Sequence, residues 1–172
     1  TRIGSSAASD VYKRQVLEEE SYIDKELWEK IVALGWTGIR IPEEYGGLGL
    51  GHLELCVIAE ELGRFLAPVP FSSSVYLFTE AIINYGDAEI KRKYLPKLVS
   101  GEIVGTLAVT ENLFAPSVDN IKVTCKEGLV NGLKIAVPDA EISTHAIVVA
   151  HSNNGVTPVS YTHLRAHETL SY

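Results

Sequence analysis

The 172-residue chain has no methionine, two cysteines and two tryptophans. Without an initiating Met it reads as a piece of a longer protein. Cys56 and Cys125 stand alone, without metal-ligand spacing, which excludes a disulfide framework or a cysteine zinc site. Both are expected as buried free thiols, in keeping with a reducing compartment, bacterial cytoplasm or a mitochondrial-type matrix. No apolar run approaches the roughly eighteen residues that a membrane span needs, and no secretory leader is visible. Positive charge is also scarce, with 15 Lys+Arg against 22 Asp+Glu and a net charge of −7. An acidic chain with no basic stripe is a poor ligand for nucleic acid, so that class is set aside.

The two ends raise a separate question. The stretch VSYTHLRAHET places His163 and His167 four residues apart, a spacing that can hold zinc on one helix face. At the other end stands SSAASDVYKRQ. Back-translated as AGATGTGTATAAGAGACAG, its tail gives Val11 to Gln15. The reverse complement of that DNA, read from its third base, spells Val159 to Leu164. An inverted DNA repeat has no purpose at the level of protein, and it resembles the transposon end found in sequencing-library adapters. Residues 1–15 and 159–172 are therefore read as adapter-derived, not native, and the metal reading of His163 and His167 is set aside. What remains, residues 16–158, carries a net charge near −9 once four basic and two acidic end residues are removed.

The first half of this insert has helical periodicity. Leu17 to Leu34 puts Ile23, Leu27, Ile31 and Leu34 on one face, with Glu18 to Glu20 near the positive end of the helix dipole. Gly35 stops it, and Gly38 to Pro42 reads as an extended connection. Leu53 to Leu66 is a second helix with Leu55, Val57, Ile58, Ala59 and Leu62 facing inward. Ser72 to Tyr85 is a third. Asp87 is a good N-cap for a fourth, Ala88 to Ser100, which Pro96 should kink or shorten. Beyond Gly101 the period becomes strand-like. Ile103 to Thr110, Ile121 to Cys125 and His145 to Ala150 are strand candidates, and Asn131-Gly132 is a hairpin signal. The expected fold class is α+β: an all-α helical domain over residues 16–101, then an incomplete antiparallel β-domain over 102–158.

Several motifs in order carry a family resemblance. LGWTGIRIPEEYGGLGLGHLELCVIAEELGR (Leu34 to Arg64), then PVPF, then YGDAEIKRKYLPKLVSGEIVGTLAVTE, resemble the acyl-CoA dehydrogenase family. They match its N-terminal helical domain and the first strand of its middle domain. VNGLKIAVPDAEISTHAIVVA (Val130 to Ala150) is similar to the hairpin that follows. The glycine-rich IPEEYGGLGLG is not itself a dinucleotide fingerprint, since G-x-G-x-x-G spacing after a strand is absent.

The resemblance implies an FAD-dependent α,β-dehydrogenation of an acyl-CoA thioester. It also implies homo-oligomers and an electron-transfer flavoprotein as acceptor. It places the flavin beside Leu107, Ala108, Val109, Thr110 and Glu111, with Thr110 offering a hydroxyl. Two departures stand out. TENLFAPSVDN replaces the family's T-E-P-x-x-G-S-D, so either Ala115, Pro116 and Ser117 fill the G-S-D positions without a gap or Ser117 and Asp119 approximate them with a shift, and Ser117 is the candidate substrate contact. The family's N-G-x-K-x-W frame keeps Asn131, Gly132 and Lys134, but Ala136 stands where Trp would stack, and Pro138 stands where a hydroxyl is usual. The family's catalytic carboxylate lies on a C-terminal helical domain and has no counterpart here; Glu43 and Glu44 read as a solvated turn. His52, His145 and His151 have no relay partner at useful spacing. Two other functions stay open: a non-catalytic acyl-CoA-binding or assembly module, and a flavin-dependent relative with a different oxidation.

Overall fold

A computed structural model describes residues 23–112, 116–152 and 155–162. Glu18 to Glu20, Ala115, His163 and His167 lie outside the described residues. Helix α1 is Lys25–Ala33. It starts at Lys25 because the Asp24 carboxylate accepts from the Leu27 N–H at 2.9 Å, a cap of about 1 kcal/mol. It buries Trp28 and Ile31, while Leu34, expected to face inward, is exposed.

The connection that follows is folded where the sequence suggested an extended run. Short 3-10 turns at Trp36–Gly38 and Glu43–Tyr45 bend the chain back on itself. The N–H groups of Leu48, Leu50 and Gly49 then reach the carbonyls of Gly38, Ile39 and Ile41, each at 2.9 Å. Gly47 makes this possible: a Cβ there would sit 2.0 Å from the Ile41 oxygen. No periodicity reports such a contact.

Helix α2 is His52–Arg64, with Glu54 reaching back to the Gly51 N–H at 2.9 Å. It rests on Leu55, Ile58 and Leu62. Val57, expected on that inner face, is 58% exposed and Leu53 is 74% exposed, because both lie about 200° around the helix from Leu55. Cys56 is also exposed, contrary to the expectation of a buried thiol; both cysteines are free.

The third helix is a π-helix over Ser72–Thr79 running into α3, Glu80–Tyr85. Its wider turn carries buried hydroxyls that are all satisfied. Thr79 donates to the Ser74 carbonyl at 2.8 Å, and Ser73 donates to the Asp139 carboxylate at 2.5 Å. Helix α4, Ala88–Val99, begins at Asp87, whose carboxylate takes the Ile90 N–H at 2.8 Å. It continues three residues past Pro96. So close to the C-terminal end, the proline disturbs only the last turn.

The second half forms a five-stranded sheet: β1 Gly105–Ala108, β2 Thr124–Lys126, β3 Leu129–Asn131, β4 His145–Ser152 and β5 Gly155–Thr162. β4 is central. β5 pairs antiparallel along its whole length, and on the other edge β1 and β2 lie end to end, both parallel to β4. The expected order of helices then sheet is present, with a mixed sheet in place of a purely antiparallel one. Parallel pairing follows from the 36-residue excursion between β1 and β4, which returns the chain in the same direction.

The β2–β3 hairpin turns at Glu127-Gly128, not at Asn131-Gly132. Both turn residues have positive φ, 50° and 79°, as a two-residue type I′ turn demands. Asn131 is the last residue of β3, so Val130 to Ala150 is not a hairpin: β2 stands between β3 and β4.

One core joins the two halves. Ile41, Phe78, Ile82, Tyr94, Leu95 and Leu98 from the helices pack with Ile103 and Ile147 at the sheet. Gly105 opens β1 directly against the Phe78 ring, and its N–H donates to the Ser74 hydroxyl at 3.3 Å. A second cluster, including Trp28, Ile31, Ile39, Phe71 and Val75, lies among the helices; a third, including Val123, Ala146 and Val148, lies on the sheet.

Candidate functional site

β1 has β4 on one edge only. Its other side is lined by the irregular segment 134–138, held by three bonds. The Ile135 N–H donates to the Thr110 carbonyl at 2.8 Å. The Lys134 ammonium donates to the Val109 carbonyl at 2.9 Å, and the Thr106 hydroxyl to the Pro138 carbonyl at 2.6 Å. Five sequence-chosen residues, Leu107, Val109, Thr110, Ala136 and Pro138, thereby come together at one strand end. Along β1 and just beyond it burial alternates, with Thr106 and Ala108 inside and Leu107 and Val109 half-buried. Both faces of β1 are packed, Gly105 and Leu107 toward the helices and Ala108 toward the sheet cluster, so only the strand end beyond Ala108, at Val109 and Thr110, is left half-buried without a regular neighbour.

The Thr110 side chain is half-buried, and its hydroxyl makes no hydrogen bond to another described residue. Ala136 is exposed in a left-handed conformation, φ 50°, so its methyl covers almost nothing. Asp139, φ 51°, follows close behind and is tied to Ser73 of the π-helix. Ser117 joins the group from the far side. It lines a cavity of about 10 Å³, room for a single water, together with Val109, Glu111, Asn112, Pro116, Asn120 and Ile121. A larger cavity of about 200 Å³ lies between α2 and the π-helix, bounded by Leu62, Val69, Phe71, Ser72 and Tyr76 among others. Tyr76 sits in its wall, with its phenol held above the ordinary value by burial and by the neighbouring Cys56.

Sequence reasoning noted Glu111 and Lys134 only as parts of two frames. Their side chains meet at 2.7 Å and are 9% and 7% exposed. Glu111 also accepts the N–H groups of Lys122 at 2.6 Å and Val123 at 3.1 Å. Burial works against its charge. The bond from Lys134, the two backbone bonds and the ammonium charge outweigh that and hold its carboxyl below the usual range. A Glu after the strand and a Lys after a Gly were the only sequence signals, and nothing local said that they would pair. Elsewhere, Glu43 and Glu44 lie in an exposed turn, and His52 is an exposed first residue of α2. His145 begins β4 and stacks edge-on to Tyr94. Among the described residues no cluster of His, Cys, Asp or Glu is arranged for a metal ion. No described helix is long and apolar enough to cross a membrane.

This arrangement of helices feeding a sheet is shared with known proteins. The family model for the N-terminal domain of acyl-CoA dehydrogenase matches residues 6–102. Mitochondrial isovaleryl-CoA dehydrogenase of Solanum tuberosum is 41% identical over 111 residues, covering 63% of this chain and 26% of that protein. Among solved structures, a variant of the Tcur3481-Tcur3483 steroid acyl-CoA dehydrogenase superposes with a TM-score of 0.76 at 34% identity. It covers 87% of this chain and 42% of the other. The FAD complex of PigA superposes with a TM-score of 0.73 at 27% identity, covering 91% and 45%. The chain belongs to the acyl-CoA dehydrogenase family. It spans between about a quarter and a half of the length of these relatives.

Proposed function

We propose that this chain is part of an FAD-dependent acyl-CoA dehydrogenase, which removes the α and β hydrogens of an acyl-CoA thioester. One observation carries the reading: the end of β1 and segment 134–138 meet at a half-buried strand end, where the Thr110 hydroxyl has no hydrogen-bond partner among the described residues. A neutral donor and strand amides can meet the nitrogen and oxygen atoms of a flavin without placing a charge there. When bound, the flavin would take the β-hydrogen as hydride. The strand through Leu107 and Val109 would run beside the ring and offer its backbone groups, Thr110 would donate to the ring, and Ser117 would stand toward the substrate. Ala136 and Pro138 would leave one side of the ring without the stacking and hydroxyl contacts usual in the family.

No carboxylate of the chain is assigned as the base. The 172 residues alone are therefore inactive in this reading, and they hold FAD weakly or not at all because much of the site is contributed elsewhere. The acceptor is an electron-transfer flavoprotein, the complete protein is a homo-oligomer, and its compartment is cytoplasmic or of mitochondrial-matrix type. Residues 1–15 and 159–172 remain assigned to adapter-derived sequence. The nucleotide sequence beneath them decides that point.

The test uses the complete protein loaded with FAD and mixed anaerobically with acyl-CoA thioesters. Bleaching of the visible flavin absorbance is expected; a flavin that binds yet stays oxidised with every thioester refutes the reading. Stoichiometric flavin on the purified 172-residue chain refutes the weak-binding part. Ala136 favours a second reading, a relative that keeps the scaffold as an acyl-CoA-binding or assembly module, or for another flavin-dependent oxidation. Turnover only with oxygen, or none at all, would select it.

A further inference from the structure

We propose that Glu111 and Lys134 are a positioning pair that presents the end of β1 to the flavin as a neutral surface. The proposal rests on the flavin reading of that strand end. The pair sits where three separate segments converge. Lys134 spans the Val109 carbonyl and the Glu111 carboxylate, at 2.9 and 2.7 Å. Glu111 in turn gathers the Lys122 and Val123 N–H groups, and the Val123 carbonyl accepts from the His151 N–H of β4 at 2.8 Å. The two residues before Glu111 thus have their carbonyls drawn to one side, Val109 by Lys134 and Thr110 by Ile135. The Thr110 side chain stays half-buried, with its hydroxyl bonded to no other described residue.

Why a charged pair here? Two apolar side chains of similar size would do as well or better for stability alone. An ammonium and a carboxylate do something apolar groups cannot. The ammonium reaches a backbone carbonyl inside the pair, the carboxylate collects two amides, and their charges cancel. Either charge alone would bias a neighbouring group whose own charge changes during the reaction. FAD gains electron density on reduction, so a lone ammonium would favour the reduced form and a lone carboxylate the oxidised one.

The sign of that bias supplies the test. The 172-residue chain, its isosteric variant Glu111→Gln and the variant Lys134→Met are titrated with oxidised FAD and with dithionite-reduced FAD. Amide chemical shifts at Val109 to Glu111, which report weak binding, are followed. The ratio of reduced to oxidised affinity is expected to rise by roughly tenfold in Glu111→Gln and to fall by a similar factor in Lys134→Met. A pair that serves only as a structural brace would weaken both redox forms equally and leave the ratio unmoved. An unmoved ratio, or one moving the same way in both variants, overturns the pair's role while leaving the flavin reading intact. No response of the unmodified chain to either form overturns the placement of this pair beside a flavin, while the bleaching test on the complete protein still decides the flavin reading itself. Should Lys134→Met fail to fold, Glu111→Gln alone decides, because the predicted rise has a fixed direction.

Discussion

Gly105→Ala is the sharpest probe of how the helices are joined to the sheet. The new Cβ would lie 2.1 Å from Cγ of Phe78, whereas ordinary contact begins at 3.4 Å, so ring or strand must yield by about 1.3 Å. The ring has nowhere to go. Phe78 is fully buried and packed with Ile41, Leu95, Leu98 and Ile147. A gap of about 1 Å already forfeits roughly half of each affected dispersion contact, and forced overpacking costs about 1–3 kcal/mol. Removing the ring by Phe78→Ala costs about 3–5 kcal/mol.

Gly105→Ala should therefore lose about 3 kcal/mol, a large share of the 5–15 kcal/mol typical of a domain. The double variant should lose less than the sum of the singles by about 1–3 kcal/mol, because the methyl enters space the ring has vacated. Urea unfolding followed by the fluorescence of buried Trp28 and by far-UV circular dichroism measures all three. If Gly105→Ala stays within about 0.5 kcal/mol of the parent chain, or the two changes simply add, the contact does not join the layers as described.

Three further outcomes follow from particular groups. Asp87→Ala removes the cap on Ile90 and should lower stability by about 1 kcal/mol in urea unfolding, with Asp87→Asn largely preserving it. The Glu111 carboxyl titrates below its ordinary value of 4.5 in the folded chain. Its stabilising contribution is thus complete above that value and lost as pH falls through the lower, folded one. The stability gap between the parent and Glu111→Gln should accordingly narrow on acidification from pH 7; a constant gap would contradict it. Tyr76, held above its ordinary 10.0 by burial and then by Cys56, should be among the last tyrosines to ionise in a spectrophotometric titration. Tyr76→Phe should remove that late step.

Much of this protein was written in local sequence. Asp87 marks a helix start because a short carboxylate beside unpaired N–H groups caps wherever it falls, whereas the first helix, expected from Leu17, has its described start at Lys25 behind the Asp24 cap. The helical spacing of Leu55, Ile58 and Leu62 gave the inward face of α2. The ordered motifs from Leu34 to Ala150 gave the family. Four things were decided only when distant segments met. The turn at Glu127-Gly128 displaced the stronger-looking Asn131-Gly132 because strand pairing, not dipeptide preference, sets where a hairpin closes. β1 runs parallel to β4 because the chain between them returns in the same direction. Val57 is exposed because no described element packs on that side of α2. Glu111 and Lys134, 23 residues apart, became a pair only when segment 134–138 was laid along β1. Caps and periodicities are short-range and survive in a string of letters, whereas registers, edges and buried charge pairs depend on which surfaces the fold brings together.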